Sequence, residues 1–431
     1  MTSTSEIPAH WQRTTLGELC NGDQRVIQTG PFGSQLHASD YRDTGVPVVN
    51  PTHLRLNAVD EKHLPFVSRE TADQLSRHYL RKGDILISRR GDFSRYSYIG
   101  DRQDGWLCGT GCLRIRLDSP EVDNRFLAVS FSLERVQSYL SQAAVGSIMP
   151  NLNTNILRDV PLVLPPVGEQ RAMADALDCI SSAVNAWNSE AILECEHKAA
   201  LIEQLFTHGT RGEPTKDTEI GQVPNSWQIK TLDDILIKKQ YGLSIRGQQK
   251  GAVPILRMNN LVGGKVDTAD LQYVDVDPEL LSGFRLKRGD VLFNRTNSQG
   301  LVGKTSLFDL DTPFVFASYL IRLHIDINQA LPAFVNAYLN REKVVRRIQM
   351  LATRGVSQSN VSASKLGRFP LPVPSLEEQK EIVIVAKAFD RKIETSGVEQ
   401  ELLEELYKAA LEQLMNGQLS AAPLIREHRN E

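Results

Sequence analysis

The sequence predicts a mixed α/β protein in which two pseudo-repeated globular domains are separated by two long antiparallel coiled-coil helices. Three observations predict it. The chain repeats itself, in order, at an offset of 206 to 216 residues. Each copy alternates short apolar runs with glycine- and aspartate-rich turns. Each copy then runs into about 40 residues whose apolar positions follow a heptad.

The elements follow in chain order. The first copy opens with Ile7-Pro8-Ala9-His10-Trp11-Gln12 and Thr15-Leu16, and Val223-Pro224-Asn225-Ser226-Trp227-Gln228 with Thr231-Leu232 repeat it. Leu80-Arg81-Lys82-Gly83-Asp84-Ile85-Leu86 returns as Leu286-Lys287-Arg288-Gly289-Asp290-Val291-Leu292. Strands are expected over 84–88 and 112–117, and helical periodicity over 124–142 and again over 332–350. The proline strips at 161–166 and 370–374 cannot continue a helix and are expected to act as extended hinges. Glu169-Gln170-Arg171 then matches Glu378-Gln379-Lys380, and Lys198-Ala199-Ala200-Leu201 matches Lys408-Ala409-Ala410-Leu411.

In the first helical segment Met173, Leu177, Ile180, Val184, Trp187 and Ala191 are spaced 4, 3, 4, 3, 4. In the second, Ile382, Ala386, Phe389 and Ile393 begin the same seam, and Leu403, Tyr407, Ala410 and Leu414 complete it, with Ser396 and Gln400 interrupting. A helix of about 40 residues is roughly 60 Å long. One small domain cannot cover it, so the two seams are expected to pair, making a spacer with a globular domain toward each end. The segment 210–218 between the copies is polar and is expected to be a flexible linker.

Composition narrows the function. A chain of 431 residues, 41% apolar and 23% charged, holds two to four folded domains and is not disordered. No apolar run reaches the roughly 18 residues of a membrane span. The opening residues lack the basic and apolar regions of a secretion signal, and five scattered cysteines suit a reducing cytoplasm, so a cytoplasmic location is expected. Charge is unevenly placed: residues 168–206 and 376–415 each carry −5 against −3 for the whole chain, which leaves +7 on the rest. Basic domains beside acidic helices favour a nucleic-acid partner.

Catalytic constellations are not found. The Asn/Asp-Pro-Pro-aromatic methylase motif is absent, and Pro165-Pro166 is followed by Val167. Gly303-Lys304-Thr305 resembles the end of a P-loop, but Ser298 stands where the earlier glycine is needed. Cys108 and Cys112 have metal-like spacing without a second Cys/His pair, so strand-buried thiols are expected and no metal site.

The order of these motifs resembles the specificity (S) subunit of type I DNA restriction-modification systems. Four features carry the resemblance: Pro8…Trp11…Thr15-Leu16 and its copy; Thr29-Gly30-Pro31-Phe32-Gly33-Ser34-Gln35-Leu36-His37 followed by Gly45-Val46-Pro47-Val48-Val49; the Pro-Leu-Pro strip leading to Glu-Gln-Arg/Lys and a long helix, twice; and Gly209-Thr210-Arg211-Gly212-Glu213 leading into Thr218–Pro224. The resemblance implies target recognition domain 1 over 1–166, a spacer helix over 167–209, a linker with target recognition domain 2 over 210–374, a second spacer helix over 375–420, and a tail over 421–431. It implies a non-catalytic subunit whose domains each read half of a bipartite, asymmetric site in double-stranded DNA. The helices would dock two modification subunits, adenine methyltransferases that bind S-adenosylmethionine. Two restriction (motor-nuclease) subunits would use ATP and Mg, in a complex that serves phage defence without a membrane. Two other readings stand beside it, a recognition subunit of another methyltransferase or restriction class and a non-DNA coiled-coil scaffold.

Base reading needs Arg, Lys, Asn, Gln or Ser on exposed loops. In domain 1 the candidates are Gly30, Pro31, Phe32, Gly33, Ser34 and His37 on a glycine-rich turn, and Arg89, Arg90, Arg95 and Tyr96 after a strand. In domain 2 they are Lys238, Lys239, Tyr241, Arg246 and Lys250, with Arg295, Asn297 and Gln299 as counterparts of 88–93. Gly146, Ser147 and Asn151, matched by Gly355 and Asn360, are expected to be framework.

Overall fold

The computed structural model describes residues 7–144, 151–297, 302–354 and 359–427. The chain divides into two compact units, Met1–Glu190 with Ser396–Glu431, and Ala191–Thr395. The boundaries fall inside the two long helices, Val167–His208 and Leu376–Met415, so each unit holds one globular domain and half of each helix.

In the first unit an antiparallel sheet runs in the order Ile27–Thr29, Cys112–Ile115, Ile85–Ser88, Tyr96–Tyr98. The two central strands are buried along their whole length, as their unbroken apolar runs require. A second sheet holds Leu107–Cys108, Val46–Val49, Phe66–Val67 and Tyr41–Arg42. Cys108 and Cys112 are buried strand thiols. The helical stretch at 124–142 is two helices, Asn124–Ser130 and Glu134–Ala143, because Leu133 takes an extended conformation between them. Asp123 caps the first by accepting from the backbone N–H groups of Arg125 and Phe126.

The second unit repeats this plan. Its sheet runs Leu236–Tyr241, Leu320–Ile325, Val291–Asn294, Thr305–Leu307, Lys265–Val266, Leu261–Val262. A three-stranded sheet (Gln272–Val274, Val253–Leu256, Val315–Phe316) lies beside it in sequence, and the expected helix at 332–350 is again two, Pro332–Leu339 and Glu342–Leu351. The repeated Lys/Arg-Gly-Asp turn has a framework role. Asp84 is buried, accepts from Arg81 N at 2.8 Å and receives Arg116 in a fork at 2.7 and 2.6 Å. Its counterpart Asp290 accepts from Lys287 N at 2.8 Å and contacts His324 Nδ1 at 2.9 Å. Gly303-Lys304-Thr305 is a turn into the strand Thr305–Leu307, with Thr305 buried.

Two expectations need correction. The proline strips are paired strands and not hinges: Pro161–Leu164 pairs antiparallel with Gln12–Thr15, and Pro370–Val373 with Gln228–Thr231. Each pair is a sheet of only two strands, so every strand is an edge and proline's missing N–H is tolerated. The linker is ordered: Thr215–Thr218 and Gly221–Pro224 form an antiparallel hairpin, held by Lys216 Nζ donating to the carbonyls of Asn225 and Trp227 at 2.8 and 2.7 Å.

The seams face inward. In the first unit Met173, Leu177, Tyr407, Leu411, Leu414 and Met415 share one core with the domain, and Ile180 and Ala410 pack against it. Val184 is buried and Trp187 half-buried. In the second unit Ile202, Phe206, Ile382 and Ala386 share the other core, while Phe389 and Ile393 are half-buried on their seam; Leu403, in the first unit, is half-buried as well. Pairing is antiparallel there: Glu194 meets Lys392 at 2.5 Å, Lys198 meets Asp390, and Thr210 N donates to Glu378 Oε1 at 2.9 Å. Ser396, an interruption in the sequence pattern, is buried on the same line.

The Glu-Gln pair that opens each helix docks it to its domain. Trp11 Nε1 donates to Glu169 Oε2 at 3.1 Å, and Trp227 Nε1 to Glu378 Oε2 at 3.0 Å. Gln170 Nε2 donates to the carbonyls of Pro165 (2.8 Å) and Glu121 (2.9 Å), and Gln379 Nε2 to those of Pro374 (3.0 Å) and Gln329 (3.3 Å).

Candidate nucleic-acid interface

In each unit the candidate loops gather at one end of the main sheet. In the first, strand Ile85–Ser88 delivers Arg89 beside the turn that follows Ile27–Thr29. The Arg89 guanidinium lies 5.6 Å from the centroid of the Phe32 ring, and its Nε donates to Leu152 O at 3.3 Å. Burial, with the Arg90 guanidinium next to it, lowers the Arg89 pKa, although an arginine so placed stays charged. Arg90 is exposed and its backbone bridges to Asn151. A cation over an aromatic face contributes about 0.5–2 kcal/mol, enough to hold one rotamer.

The turn itself is closed. Phe32 N donates to Gln35 Oε1 at 3.1 Å, and Gln35 N and Leu36 N donate to Phe32 O at 2.8 and 3.2 Å. Gly30 and Pro31 are buried, and Phe32, Gly33, Ser34 and His37 are exposed. His37 N donates to Asp40 Oδ2 at 2.7 Å and begins a short 3-10 turn. Gly33 and Ser34 thus stand free on the surface while the backbone beneath them is fixed.

The second unit builds the same device from different residues. Strand Val291–Asn294 delivers Arg295, whose guanidinium lies 4.9 Å from the Tyr241 ring centroid. Its Nη1 donates to Ser318 O at 3.4 Å, and its Nε is buried without a hydrogen-bond partner among the described residues. Tyr241 closes the strand Leu236–Tyr241, and its hydroxyl accepts from Ala363 N at 2.8 Å. Arg246 and Lys250 are exposed on the loop beyond, and Lys238 is exposed on the strand. Asn297 lies in the short strand Thr296–Asn297, opposite Ser359, and Asn360 accepts from Thr296 Oγ1. Gln299, Gly146, Ser147 and Gly355 lie outside the described residues.

Besides the buried Gly30 and Pro31, three candidates are placed differently from expectation. Tyr96 is fully buried: its hydroxyl accepts from Ser132 Oγ at 2.7 Å and lies 3.3 Å from that of Tyr407. It alternates inward on Tyr96–Tyr98, so it belongs to the core and not to the interface. Lys239 is ion-paired with Asp233 at 2.6 Å, and Arg95 with Asp92 at 3.2 Å, so neither presents an unpaired charge.

Sequence reasoning missed the layer beneath. Arg114 Nη2 donates to Gln28 Oε1 at 2.8 Å, and Arg322 donates to Gln240 Oε1 in the same way. Both arginines are buried and tie the loop-bearing edge strand to the sheet centre. Strand register places Gln28 and Gln240 at equivalent positions, whereas their sequence neighbourhoods differ. Among the described residues no group of three or more metal-ligating side chains is present, and no helix is long and apolar enough to cross a membrane.

Comparison with known proteins gives this geometry a context. The family model of the type I restriction modification DNA specificity domain matches residues 8–194 and again 224–405. The chain is 24% identical over 350 residues to the MjaVIII specificity subunit of a type I restriction enzyme from Methanocaldococcus jannaschii, covering 79% of this chain and 80% of the relative. It is 22% identical over 404 residues to the EcoKI specificity subunit of Escherichia coli K12, covering 90% and 83%. With a putative MjaX specificity subunit of M. jannaschii it is 31% identical over 205 residues, and there it spans about half of the relative's length, 47% of this chain and 48% of the relative. Among solved structures, the S subunit of a type I system from M. genitalium has the same fold, with a TM-score of 0.58 at 14% identity over 96% of this chain and 98% of that one. A chain from a structural study of type I complex assembly aligns with a TM-score of 0.51 at 16% identity, over 96% and 100%. With both of its domains and the greater part of each long helix matched in order, the chain belongs to the family of type I restriction-modification DNA specificity subunits.

Proposed function

We propose that the chain is the non-catalytic recognition subunit of a type I restriction-modification complex, and that each domain reads one half of a bipartite, asymmetric DNA site. One observation carries the reading. An arginine held over an aromatic ring stands at the same strand end in both domains, Arg89 on Phe32 and Arg295 on Tyr241, while the loops around it differ in sequence. What is the same in both domains cannot distinguish two half-sites, so Arg89 and Arg295 are assigned to phosphates. What differs, Ser34 and His37 with Arg90 in one domain and Arg246 and Lys250 in the other, is assigned to base edges or their approach.

The acidic outer faces of the helices are the docking surface for two modification subunits, which bind S-adenosylmethionine and methylate adenine. Two motor-nuclease subunits that use ATP and Mg join the same assembly. Methylome sequencing of cells carrying this chain with its modification subunit tests the proposal. Methyladenine in one bipartite motif, lost when the chain is deleted, is the expected result. An active, bound modification subunit with no chain-dependent motif would refute it.

A further inference from the structure

The loops beside the two arginines share a second feature that phosphate and base-edge contacts do not use. Each begins with a glycine pressed against facing backbone: a Cβ on Gly30 would lie 1.9 Å from Gly109 O, and one on Gly242 2.3 Å from Ala317 O. The next residue, Pro31 or Leu243, is buried. Each loop then exposes a large apolar side chain, Phe32 at 50% and Ile245 at 39%, and in the second domain Tyr241 and Tyr319 are exposed beside it. Local bonds fix the Phe32 turn and the start of the second loop. The Phe32 turn is closed by Gln35 and Leu36, while Leu243 N donates to Phe316 O and Ser318 N to Leu243 O, both at 2.8 Å.

The surroundings select the partner. Phe32 lies beside the Arg89 guanidinium, one residue from Arg90, and Ile245 is followed by Arg246 on a loop tied to Ser318, whose carbonyl accepts from Arg295. An apolar tip beside exposed arginines has the chemistry of a wedge that enters a base step and unstacks it. We propose that Phe32 and Ile245 are such wedges, each opening one base step in the half-site of its own domain. This rests on the DNA-recognition reading above.

The test uses the chain in complex with its modification subunit and a duplex carrying the methylated motif. 2-Aminopurine is placed in turn at each position except the methylated adenines, which the methyltransferase itself extrudes. One position in each half-site is expected to brighten several-fold. Phe32→Ala should abolish brightening in one half-site only, Ile245→Ala in the other, each with a rise of about tenfold in Kd. Phe32→Leu, which keeps an apolar tip, should retain the signal. A footprint over both half-sites without brightening, or with brightening unchanged in both alanine variants, would overturn the wedge. Loss of the footprint from the wild-type complex would instead overturn DNA recognition.

Discussion

Replacing Glu378 and its counterpart Glu169 by alanine should destabilise the two units unequally, although the residues occupy the same place in the repeat. Glu378 is 3% exposed and accepts from Trp227 Nε1 at 3.0 Å, Thr210 N at 2.9 Å and Thr210 Oγ1 at 3.4 Å. Alanine leaves a buried indole N–H and a backbone N–H without an acceptor. At about 1–3 kcal/mol for each stranded buried donor, the loss is about 3–4 kcal/mol. Glu169 keeps a fifth of its side chain exposed, and one of its two donors, His10, is itself mostly in solvent. Water can replace that bond, so the cost there is about 1 kcal/mol. For units of this size, 1 kcal/mol shifts a melting midpoint by about 2–4 °C. Glu378→Ala should therefore lower the melting of the second unit by about 6–16 °C and accelerate amide exchange over 210–227, while Glu169→Ala should move the first unit by only a few degrees. Calorimetry with site-resolved hydrogen exchange reads both. Equal losses, or unchanged exchange around Trp227, would refute the assignment of Glu378 as the buried acceptor that joins helix, hairpin and domain.

Other perturbations follow from the same geometry. Leu177→Ala, at a buried seam position, should cost about 2–5 kcal/mol, whereas Ile192→Ala, half exposed on the same helix, should stay within about 0.5 kcal/mol; urea unfolding separates them. Arg89→Ala and Arg295→Ala should weaken DNA binding and each lower the salt slope of log Kd by about 1, measured by titration at several ionic strengths. Tyr96→Phe should leave DNA affinity unchanged and cost about 1 kcal/mol of stability through loss of the Ser132 hydrogen bond; a DNA-binding defect would return Tyr96 to the interface. Burial, with Arg77 and Arg114 close by, pulls His78 down to about 4. Its folded pKa lies below its unfolded value, so the unfolded chain takes up a proton first. Stability should fall as pH drops from about 6.5 to about 4, and His78→Gln should flatten the urea midpoint across that window.

Several parts of this molecule are legible in its residues. The duplication, the heptad seams and the strands at 84–88 and 112–117 depend on local patterns of apolar side chains, and the structure holds them where those patterns place them. The proline strips were misleading because a proline-rich run looks the same whether solvent or one neighbouring strand lies beside it; the pairing partner is about 150 residues away. The linker hairpin pairs Thr-Lys-Asp-Thr with Gly-Gln-Val-Pro, whose only apolar residues, Val223 and Pro224, are adjacent, so no alternation marks its strands. Tyr96 sits in a cationic stretch whose exposed members are its neighbours, and only strand alternation separates it from them. The arginine–aromatic pairs could not be found from spacing. Register makes Tyr241, opposite Ile321, the equivalent of Thr29, opposite Leu113, so Tyr241 meets its arginine from the end of the strand and Phe32 meets its own from the turn three residues beyond.

The division of the long helices has a consequence for synthesis. Residues 191–395 are continuous, so the second unit has all of its core once Thr395 has left the ribosome. The first unit begins earlier but finishes later, because Tyr407, Leu411, Leu414 and Met415 complete its core. The bond between the hydroxyls of Tyr96 and Tyr407 joins residues 311 apart. At about 5–20 residues per second, roughly 220 residues must be added between Glu190 and Tyr407, which takes about 10–45 s. Throughout that interval Met173 and Leu177 lack part of their cover, and the nascent first domain is exposed to chaperones and to other unfinished chains. The domain that is translated first is therefore the last to complete its core, which waits for the final turns of the second helix.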